Sequence, residues 1–422
     1  MVAKPLYPLY KNIIKPLDRV RYPELRYLFI FLGMVFSSCS YVKHGENFVD
    51  YSAIDLLQRS DTEPMVVDLE SAVDLQSSDF MKKNVDDFDV IQLDSLIPIG
   101  KVSKMCVAKG IIVLLTDDMI YAYNQQTGKL IYHINKKGHG HNEYLGLRDL
   151  QILEESSEIL AIDDLSKTYF YFDLATGKFL YKERSLIGAA YACKYEGIYF
   201  SSVAKGNDFN EDETWGLLAS DSVQFRGKQF RLRPLQCVDF VKDNIHVYNG
   251  KIYFNPLFSD TVYVVNKNFY VAPAFMIKQK KSLNMILEQE MNFASVLDLL
   301  NKQGYTFLDG SRFFESNDAL FFYLHRGLGK GLGEECFVYD KISGKLFRLL
   351  TADLHNHQYA IFPHDILYVK ENRLFGLYLD GQKLKDICNL GNIKVDNSKL
   401  NRILTLKQVN HNPIVVSFKY KH

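Results

Sequence analysis

One ten-residue pattern occurs three times in the chain and constrains the fold more than any other feature. It reads YNQQTGKLIY from Tyr123, FDLATGKFLY from Phe172 and YDKISGKLFR from Tyr339. Each copy has an aromatic residue before Asn or Asp, then Thr/Ser-Gly-Lys, then an alternating apolar strand, which is the pattern of a β-hairpin. The glycine stands where a tight turn requires positive φ, a conformation that a Cβ disfavours. Three copies in register indicate a repeat.

The spacing of the copies gives the size of the repeating unit. Gly128 and Gly177 lie 49 residues apart, and Gly344 follows after 167 residues, which is three such periods and 20 residues more. Units of about 50 residues made of short strands are typical of propeller blades. The residues from Phe88 onwards accommodate about six blades, seven being the less favoured number, so the predicted fold is an all-β, six-bladed β-propeller. A β-sandwich is the alternative, but the fixed period favours a ring that protects its strand edges.

The surplus residues coincide with the one long segment of helical periodicity, Lys281 to Gly304. Apolar residues recur there at steps of three and four. Ser282 is the predicted N-cap, and the glycine at the end is the predicted stop. The sequence therefore predicts one helical insertion in the propeller, near residues 281–304.

The first forty residues have the composition of an export signal. A basic region leads to the apolar run YLFIFLGMVF, which begins at Tyr27 and is about half as long as a membrane-spanning helix. The following FSSC resembles the lipobox of bacterial lipoproteins, in which the cysteine is lipidated. We predict a signal peptide over residues 1–38, a lipid anchor at Cys39 and a location in the bacterial cell envelope, on the periplasmic or outer-membrane face. An uncleaved signal anchor is the alternative.

Residues 39–87 are rich in Asp, Glu and Ser and carry little strand signal, which predicts a tether ahead of a propeller domain at 88–422. FDVIQLDS, from Phe88, is the first strong strand. NPIVVSFKYK, from Asn412, supplies an apolar strand at the other end of the chain. Propellers commonly complete one blade with strands from both termini, so these two segments are expected to close the ring.

Composition excludes some classes of partner. Lys and Arg together number 50, as do Asp and Glu, so nothing indicates nucleic acid as a partner. Besides Cys39 there are five cysteines, an odd number without a CxxC pair, so no disulfide framework is indicated. We expect most of them to be buried as small apolar groups.

Several segments resemble the six-bladed β-propeller lipoproteins of Bacteroides-type bacteria. The main one is KKGHGHNEYLGLRDLQI, from Lys136, which matches the family pattern G-x-G-x-x-E-Y followed by Asp at Gly138, Gly140, Glu143, Tyr144 and Asp149. FSDTVYVV and the closing NPIVVSF are similar as well, whereas His141 stands where the family often has Pro. The resemblance implies a six-bladed ring on a lipid anchor and implies no particular activity.

Two glycine-containing loops are the candidate ligand-binding surfaces, residues 137–148 and 325–333. Both offer backbone N–H groups, histidine and basic side chains, which suit an anion or another polar group. Neither has the spacing of a nucleotide-binding loop, and no helix follows the second. The simpler interpretations are a connection between blades and a long hairpin loop. The predicted ligand-binding residues are Lys137, His139, His141, Glu143, Tyr144, Arg148, His325, Arg326 and Lys330.

Other polar clusters have structural interpretations. Asp117-Asp118 and Asp163-Asp164 lie 46 residues apart at equivalent places, which favours a repeated turn over a glycosidase or calcium site. Histidines at 133, 139 and 141 and at 355, 357 and 364 lack the tight spacing of a zinc site. No catalytic motif is present. We therefore predict no metal, no cofactor and no assigned catalytic residue.

The sequence favours a membrane-anchored, non-catalytic binding or scaffold propeller. It would recognise a glycan, a peptide or a protein partner through loops at one mouth of the central channel. The alternative is a polysaccharide hydrolase or lyase with a carboxylate and histidine site at that mouth. Convergence of Asp, Glu, His and Arg side chains at a mouth is the observation that bears on the choice.

The lipid anchor gives the first test. We expect the protein from its native membrane to lack residues 1–38 and to carry acyl groups on Cys39, because the basic, apolar and FSSC segments follow in the order of a lipoprotein signal. Intact mass spectrometry measures both properties. A retained N-terminal segment, or a Cys39 without acyl mass, contradicts the prediction, and a Cys39→Ala variant provides the unmodified control.

Overall fold

A computed structural model describes residues 54–116, 119–189, 191–202, 215–237, 243–266, 268–327, 332–350, 365–378, 382, 385, 401–402 and 412–421. These residues form six sheets, each built from four antiparallel strands. Two of the sheets gain a fifth strand that runs parallel to its neighbour. Cys39, Lys330 and the expectations for residues 1–38, 117–118, 355, 357 and 364 lie outside the described residues.

The strands are short and follow one another along the chain. Those of the N-terminal part are β1 Met65–Asp68, β2 Val73–Gln76 and β3 Val85–Gln92. Blades 1 to 3 contain β4 Val102–Ala108, β5 Ile111–Thr116, β6 Met119–Asn124, β7 Leu130–Ile134, β8 Leu147–Leu153, β9 Glu158–Asp163, β10 Thr168–Asp173, β11 Phe179–Arg184, β12 Tyr191–Tyr195, β13 Ile198–Ser202, β14 Trp215–Ser220 and β15 Phe225–Arg231. Blades 4 to 6 contain β16 Ile245–Tyr248, β17 Lys251–Phe254, β18 Thr261–Val265, β19 Val271–Lys278, β20 Thr306–Glu315, β21 Ala319–Gly327, β22 Leu332–Asp340, β23 Leu346–Leu350, β24 Asp365–Lys370, β25 Arg373–Tyr378 and β26 Ile414–Tyr420. The helices are α1 Ser77–Asn84 and α2 Phe293–Gln303, with 3-10 turns at Leu69–Ser71, Pro234–Cys237 and Leu283–Ile286.

The first strand of every blade lies at the centre of the ring. β4, β8, β12, β16, β20 and β24 each contact the first strand of the next blade, and β24 returns to β4. These six strands surround a central channel. The predicted six-bladed propeller is therefore confirmed. The end of the channel at which these strands begin is called the first mouth. The opposite end, at which the strands finish, is called the second mouth.

Strands from the two ends of the described chain close the ring. β26 pairs antiparallel with β3, with Val415 opposite Ile91 and Ser417 opposite Asp89. β3 thus supplies the outermost strand of blade 6, whose other strands come from the C-terminal part. The predicted closure by the Phe88 and Asn412 segments is confirmed.

Where the sequence predicts a tether, residues 54 to 84 run along the outer edges of the blades, and we call them the rim segment. β1 pairs parallel with β19 of blade 4, and β2 pairs parallel with β23 of blade 5. Arg348 makes two hydrogen bonds of 2.7 Å to Asp74, and Phe80 is buried against Tyr420. Strands of four residues are too short to show a clear alternation, which explains why this segment carries little strand signal.

The repeated sequence forms the outer hairpin of blades 1, 2 and 5. The side-chain oxygen of Asn124 accepts hydrogen bonds from the backbone of Gln126 and Thr127, and Asp173 and Asp340 cap their turns in the same way. The glycines that follow have φ of 67°, 68° and 69°. The aromatic–Asx–Gly pattern therefore encodes a capped turn.

The predicted helical insertion is present and consists of the 3-10 turn Leu283–Ile286 followed by α2. Ser282 caps the 3-10 turn, and Gly304 ends α2 with a φ of 71°, so both predicted ends are confirmed. Between the two, the side chain of Asn292 accepts a hydrogen bond from the backbone of Ser295 and caps the start of α2. Buried leucines of the insertion pack with Phe258 and Phe307 of blades 4 and 5.

The described cysteines Cys106, Cys193 and Cys336 are free and buried, as expected of small apolar groups. Among the described residues no helix has the length and apolar character that crossing a membrane requires.

The repeated turns allow a matched test of ring closure. An added Cβ at Gly128 would overlap the backbone oxygen of Gln92, the last residue of β3, whereas at Gly344 the nearest atom is the Tyr339 hydroxyl at 3.9 Å. Both glycines have nearly the same positive φ. We expect Gly344→Ala to cost about 1–2 kcal/mol of unfolding free energy and Gly128→Ala clearly more, since it also pushes blade 1 away from the closing strand. Equal losses in urea unfolding would contradict this account.

Candidate functional site

The central channel contains a cavity of about 380 Å³ to which all six blades contribute. The side chains that line it include five carboxylates from blades 2, 4, 5 and 6, lysines from blades 1 and 6, and a histidine. Aromatic rings and small side chains fill the remaining wall. Representatives of the blades, in order, are Lys104, Asp149, Cys193, His246, Glu315 and Tyr368. Its volume lies in the range of cavities that hold small ligands.

A buried ion-pair cluster crosses the channel near the first mouth. Lys104 is on β4 and Asp149 is on β8. The Nζ atom of Lys104 lies 3.0 Å from Oδ1 of Asp149. The same ammonium donates a hydrogen bond to Asp243, which directly precedes β16 of blade 4. Blades 1 and 4 stand opposite each other in a six-membered ring, so Lys104 ties opposite walls of the channel.

Asp149 is also held by backbone groups. Its carboxylate accepts hydrogen bonds from the backbone N–H of Leu150 at 2.8 Å and of Ala192, in blade 3, at 3.4 Å. One carboxylate thus contacts blades 1, 2 and 3. The position of this charge is therefore fixed by three blades.

Burial dominates the electrostatics of the cluster. It raises the pKa of Asp149 from 3.8 to about 7, although Lys104 acts in the opposite direction. Burial alone would lower the pKa of Lys104, but the carboxylates of Asp149 and Asp243 outweigh it and raise that pKa well above its usual value. Burial lowers the pKa of His246 to about 4, so this imidazole is neutral at pH 7. The cluster therefore contains a carboxyl group that changes charge near neutral pH.

Ion pairs also mark the second mouth. Lys370 lies 2.7 Å from Glu154, and Lys341 donates a hydrogen bond to Glu315, which also accepts one from the hydroxyl of Tyr253. Both of these lysines have a carboxylate partner. The cavity between the two mouths is bordered by the rings of Phe314, Tyr248 and Tyr368.

The first predicted loop, 137–148, is mainly a connection between blades 1 and 2. The carboxylate of Glu143 accepts a hydrogen bond of 2.8 Å from the backbone of Gly140. Tyr144 is fully buried, and its hydroxyl lies between the backbone N–H of Lys136 and the carbonyl of Ile134, at 3.1 and 3.2 Å. Glu143 and Tyr144 thus hold the shape of the connection, and its backbone pairs Lys137 with Tyr144.

The remaining residues of this loop lie at different distances from the channel. His139 and His141 are exposed, and the carbonyl of His141 accepts a hydrogen bond of 2.7 Å from Lys182 on β11, the outermost strand of blade 2. These histidines therefore lie towards the rim. Arg148, on the innermost strand β8, lies at the first mouth and pairs with Asp164 at 3.3 Å. The structure brings only Arg148 of the described loop residues close to the channel.

The second predicted loop begins with a buried pair. His325 is 3% exposed, and its Nε2 atom lies 2.6 Å from Asp309 Oδ2. The other ring nitrogen, Nδ1, lies 3.8 Å from Glu334. Asp309, His325 and Glu334 are residue types that bind metals and lie close together. One ligand atom from each of the three lies within 4.8 Å of the others, which is close enough to hold a metal ion, and the short contact between His325 and Asp309 is also that of a buried hydrogen bond.

Arg326 in blade 5 and Asp163 in blade 2 are the other residues for which the sequence made predictions. Arg326 is half exposed and pairs with Glu335 at 3.1 Å. The carboxylate of Asp163 accepts hydrogen bonds from the backbone of Leu165, Ser166 and Leu145, so it caps a turn as expected for a position in a repeat.

Sequence analysis missed most of the channel cluster. Lys104, Asp243 and His246 were not singled out, and Asp149 was interpreted only as part of a family pattern. The available signal was a single charged or polar residue within an otherwise apolar first strand, as in VSKMCVA and IHVY. Such a residue faces the channel when its strand is the innermost of a blade.

Comparison with known proteins identifies the family to which the chain belongs. Residues 64–419 match the model of the family described as "Domain of unknown function (DUF4934)". The chain belongs to the DUF4934 family. No curated protein matches it.

Solved structures show how this DUF4934 member relates to other propellers. A protein of Bacteroides fragilis NCTC 9343 that carries the description of an exported protein is 16% identical, with a TM-score of 0.68 over 85% of this chain and 100% of that chain. A member of the DUF4221 family from Bacteroides vulgatus ATCC 8482 is 11% identical, with a TM-score of 0.47 over 80% of this chain and 98% of that chain. At 16% identity the first similarity shows the fold and leaves the ligand open.

The raised pKa of Asp149 predicts how stability depends on pH. Between about pH 4 and 7 the Asp149 carboxyl is protonated in the folded state and ionised in the unfolded state. Its contribution therefore lowers the free energy of unfolding as the pH rises through that window. His246 acts with the opposite sign, since its lowered pKa costs stability as pH falls. We therefore compare variants at equal pH. The unfolding free energy of Asp149→Asn, relative to the unaltered protein, should increase from about pH 5 to about pH 8.

Asp173→Asn is the matched control for this measurement. A hydrogen bond from Thr176 lowers the pKa of Asp173, so this carboxylate stays charged throughout the window. The unfolding free energy of Asp173→Asn should differ from that of the unaltered protein by the same amount at every pH in this window. A difference for Asp149→Asn that is equally flat would contradict the assignment of a titrating carboxyl in the channel.

Proposed function

We propose that this DUF4934 propeller is a binding protein that holds a sugar residue of a glycan in its central channel. The observation that carries the proposal is the cavity of about 380 Å³ at the centre of the ring. It offers carboxylate, ammonium and imidazole groups for sugar hydroxyls and the rings of Phe314 and Tyr368 for sugar faces.

Charge compensation supports a neutral ligand. Lys104 is shared by Asp149 and Asp243, Lys370 is paired with Glu154, and Lys341 is paired with Glu315. A charged ligand that displaced the pair between Lys104 and Asp149 would leave a buried charge uncompensated, which is costly. Hydroxyl groups can instead donate to the carboxylates and accept from the lysines without changing the net charge.

The location forms part of the proposal. The signal-like N-terminal segment and the FSSC sequence support export and attachment to a membrane of the cell envelope through Cys39. The description of the Bacteroides fragilis protein as exported agrees with this location. A lipid-anchored propeller would hold its channel close to glycans of the envelope or its surroundings.

Calorimetric titration against neutral and acidic oligosaccharides tests channel binding. We expect a neutral glycan to bind, and Asp243→Asn to weaken it about tenfold, since hydrogen bonds to a charged group stabilise strongly. The matched controls are Asp298→Asn and Lys302→Gln, which break an exposed ion pair of 2.8 Å on α2. Equal affinity in Asp243→Asn and the controls, with all variants folded by circular dichroism, would refute binding in the channel.

The second candidate function, a polysaccharide hydrolase or lyase, draws support from one observation. A carboxyl group whose pKa is about 7, next to an ammonium and a neutral imidazole, can exchange a proton at neutral pH. Incubation with the bound polysaccharide and assay of reducing ends and unsaturated products separates the two functions. Turnover that Asp149→Asn abolishes would replace the binding proposal with the catalytic one.

A further inference from the structure

A second cavity of about 940 Å³ lies outside the channel, between blades 3 and 4 and the helical insertion. Its wall combines the rim segment, the end of β15 and the residues that follow it, and the 3-10 turn of the insertion. It shares no lining residue with the channel cavity. We call it the arginine cleft, because its wall contains Arg59, Arg231 and Arg233.

The three arginines come from two segments that are far apart in sequence. Arg59 belongs to the rim segment, Arg231 ends β15, and Arg233 lies in the connection to blade 4. The chain as a whole has equal numbers of basic and acidic residues, so the grouping does not reflect a generally basic surface. Two carboxylates, Glu288 and Glu290, also line the cleft.

Arg59 is held in an orientation that suits ligand binding. Its guanidinium carbon lies 5.9 Å from the ring centres of both Phe230 and Tyr263. Stacking on ring faces leaves the N–H groups, which lie in the guanidinium plane, available for an oxyanion. Within the described part of the chain this guanidinium makes no hydrogen bond. The backbone beside it is fixed, since Ser60 donates a hydrogen bond of 2.9 Å to Val271.

Arg233 forms an ion pair with a carboxylate that an anionic ligand can replace. Its Nη1 atom lies 3.1 Å from Glu288, and both side chains are more than half exposed. Exposed pairs of this kind contribute little stability. The side chain of Gln236 holds the backbone of Arg233 in place. It accepts a hydrogen bond of 3.0 Å from the backbone N–H of Arg233 and donates one of 2.7 Å to the Leu257 carbonyl. The guanidinium can therefore change partner without loss of the local fold.

We propose that the arginine cleft binds carboxylate or sulfate groups of an acidic oligosaccharide. Planar guanidinium groups bind such oxyanions through paired hydrogen bonds. The wall also offers polar side chains, Ser259 and Asn284, to hydroxyl groups. The volume exceeds that of the channel cavity and accommodates more than one sugar ring. The ligand displaces Glu288 from Arg233.

The protein contains a built-in reporter for this site. Its one tryptophan, Trp215, lines the cleft, with the ammonium of Lys228 at 4.6 Å from the ring centre. Emission from Trp215 should therefore change when the cleft fills. The probes are galacturonate oligomers for carboxylates, heparin-derived oligomers for sulfates, dextran oligomers as the neutral comparison, and inorganic sulfate and phosphate.

We expect an acidic oligomer to bind with an affinity that falls as salt rises, and neutral dextran oligomers to leave the emission unchanged. Arg59→Gln and Arg233→Gln should each weaken binding about tenfold, since each removes hydrogen bonds between charged groups. Glu288→Gln should strengthen it, because it removes the competing carboxylate. Lys302→Gln, which removes a positive charge from exposed α2, should have no effect.

Three results would overturn the proposal. One is an unchanged affinity in both arginine variants. Another is equal binding of the neutral oligomers. The third is equal or tighter binding of inorganic anions or a phosphopeptide, which would reject an oligosaccharide as the ligand. Whether galacturonate or heparin-derived oligomers bind more tightly decides between carboxylate and sulfate.

Discussion

The pairing of β26 with β3 is the constraint on which the rest of the structure depends. Only when these two strands pair does blade 6 have four strands, and only then can β24 contact β4 and close the ring. The channel exists because the ring is closed. Its charged cluster depends on the same closure, since Lys104 and Asp243 belong to opposite blades and meet only in a complete circle.

The rim segment extends this principle to the outside of the ring. Its short strands add to the edges of blades 4 and 5, and its ion pair between Asp74 and Arg348 joins residues far apart in sequence. The same segment contributes Arg59 to the arginine cleft. One N-terminal stretch therefore covers strand edges that would otherwise be open to association and also forms part of the proposed binding surface.

The repeat made the architecture predictable, whereas the site required the assembled ring. The turns at Gly128, Gly177 and Gly344 are local, because one Asx residue and one glycine determine each of them. The cluster of Lys104, Asp149 and Asp243 is non-local, and each residue by itself is one polar position in a strand. The helical insertion shows the same limit, because its periodicity was visible but the restart at Asn292 depended on a single cap.

The two cavities divide the proposed recognition by charge. Paired ions in the channel suit neutral hydroxyl groups, whereas Arg59 and the weakly paired Arg233 in the cleft suit oxyanions. The central claim is that the channel is a ligand site. A crystal structure of the protein grown with the neutral glycan that it binds tests this most directly. The account predicts a sugar ring within hydrogen-bonding distance of Lys104 and Asp243, and a glycan ordered elsewhere, with only water in the channel, would contradict it.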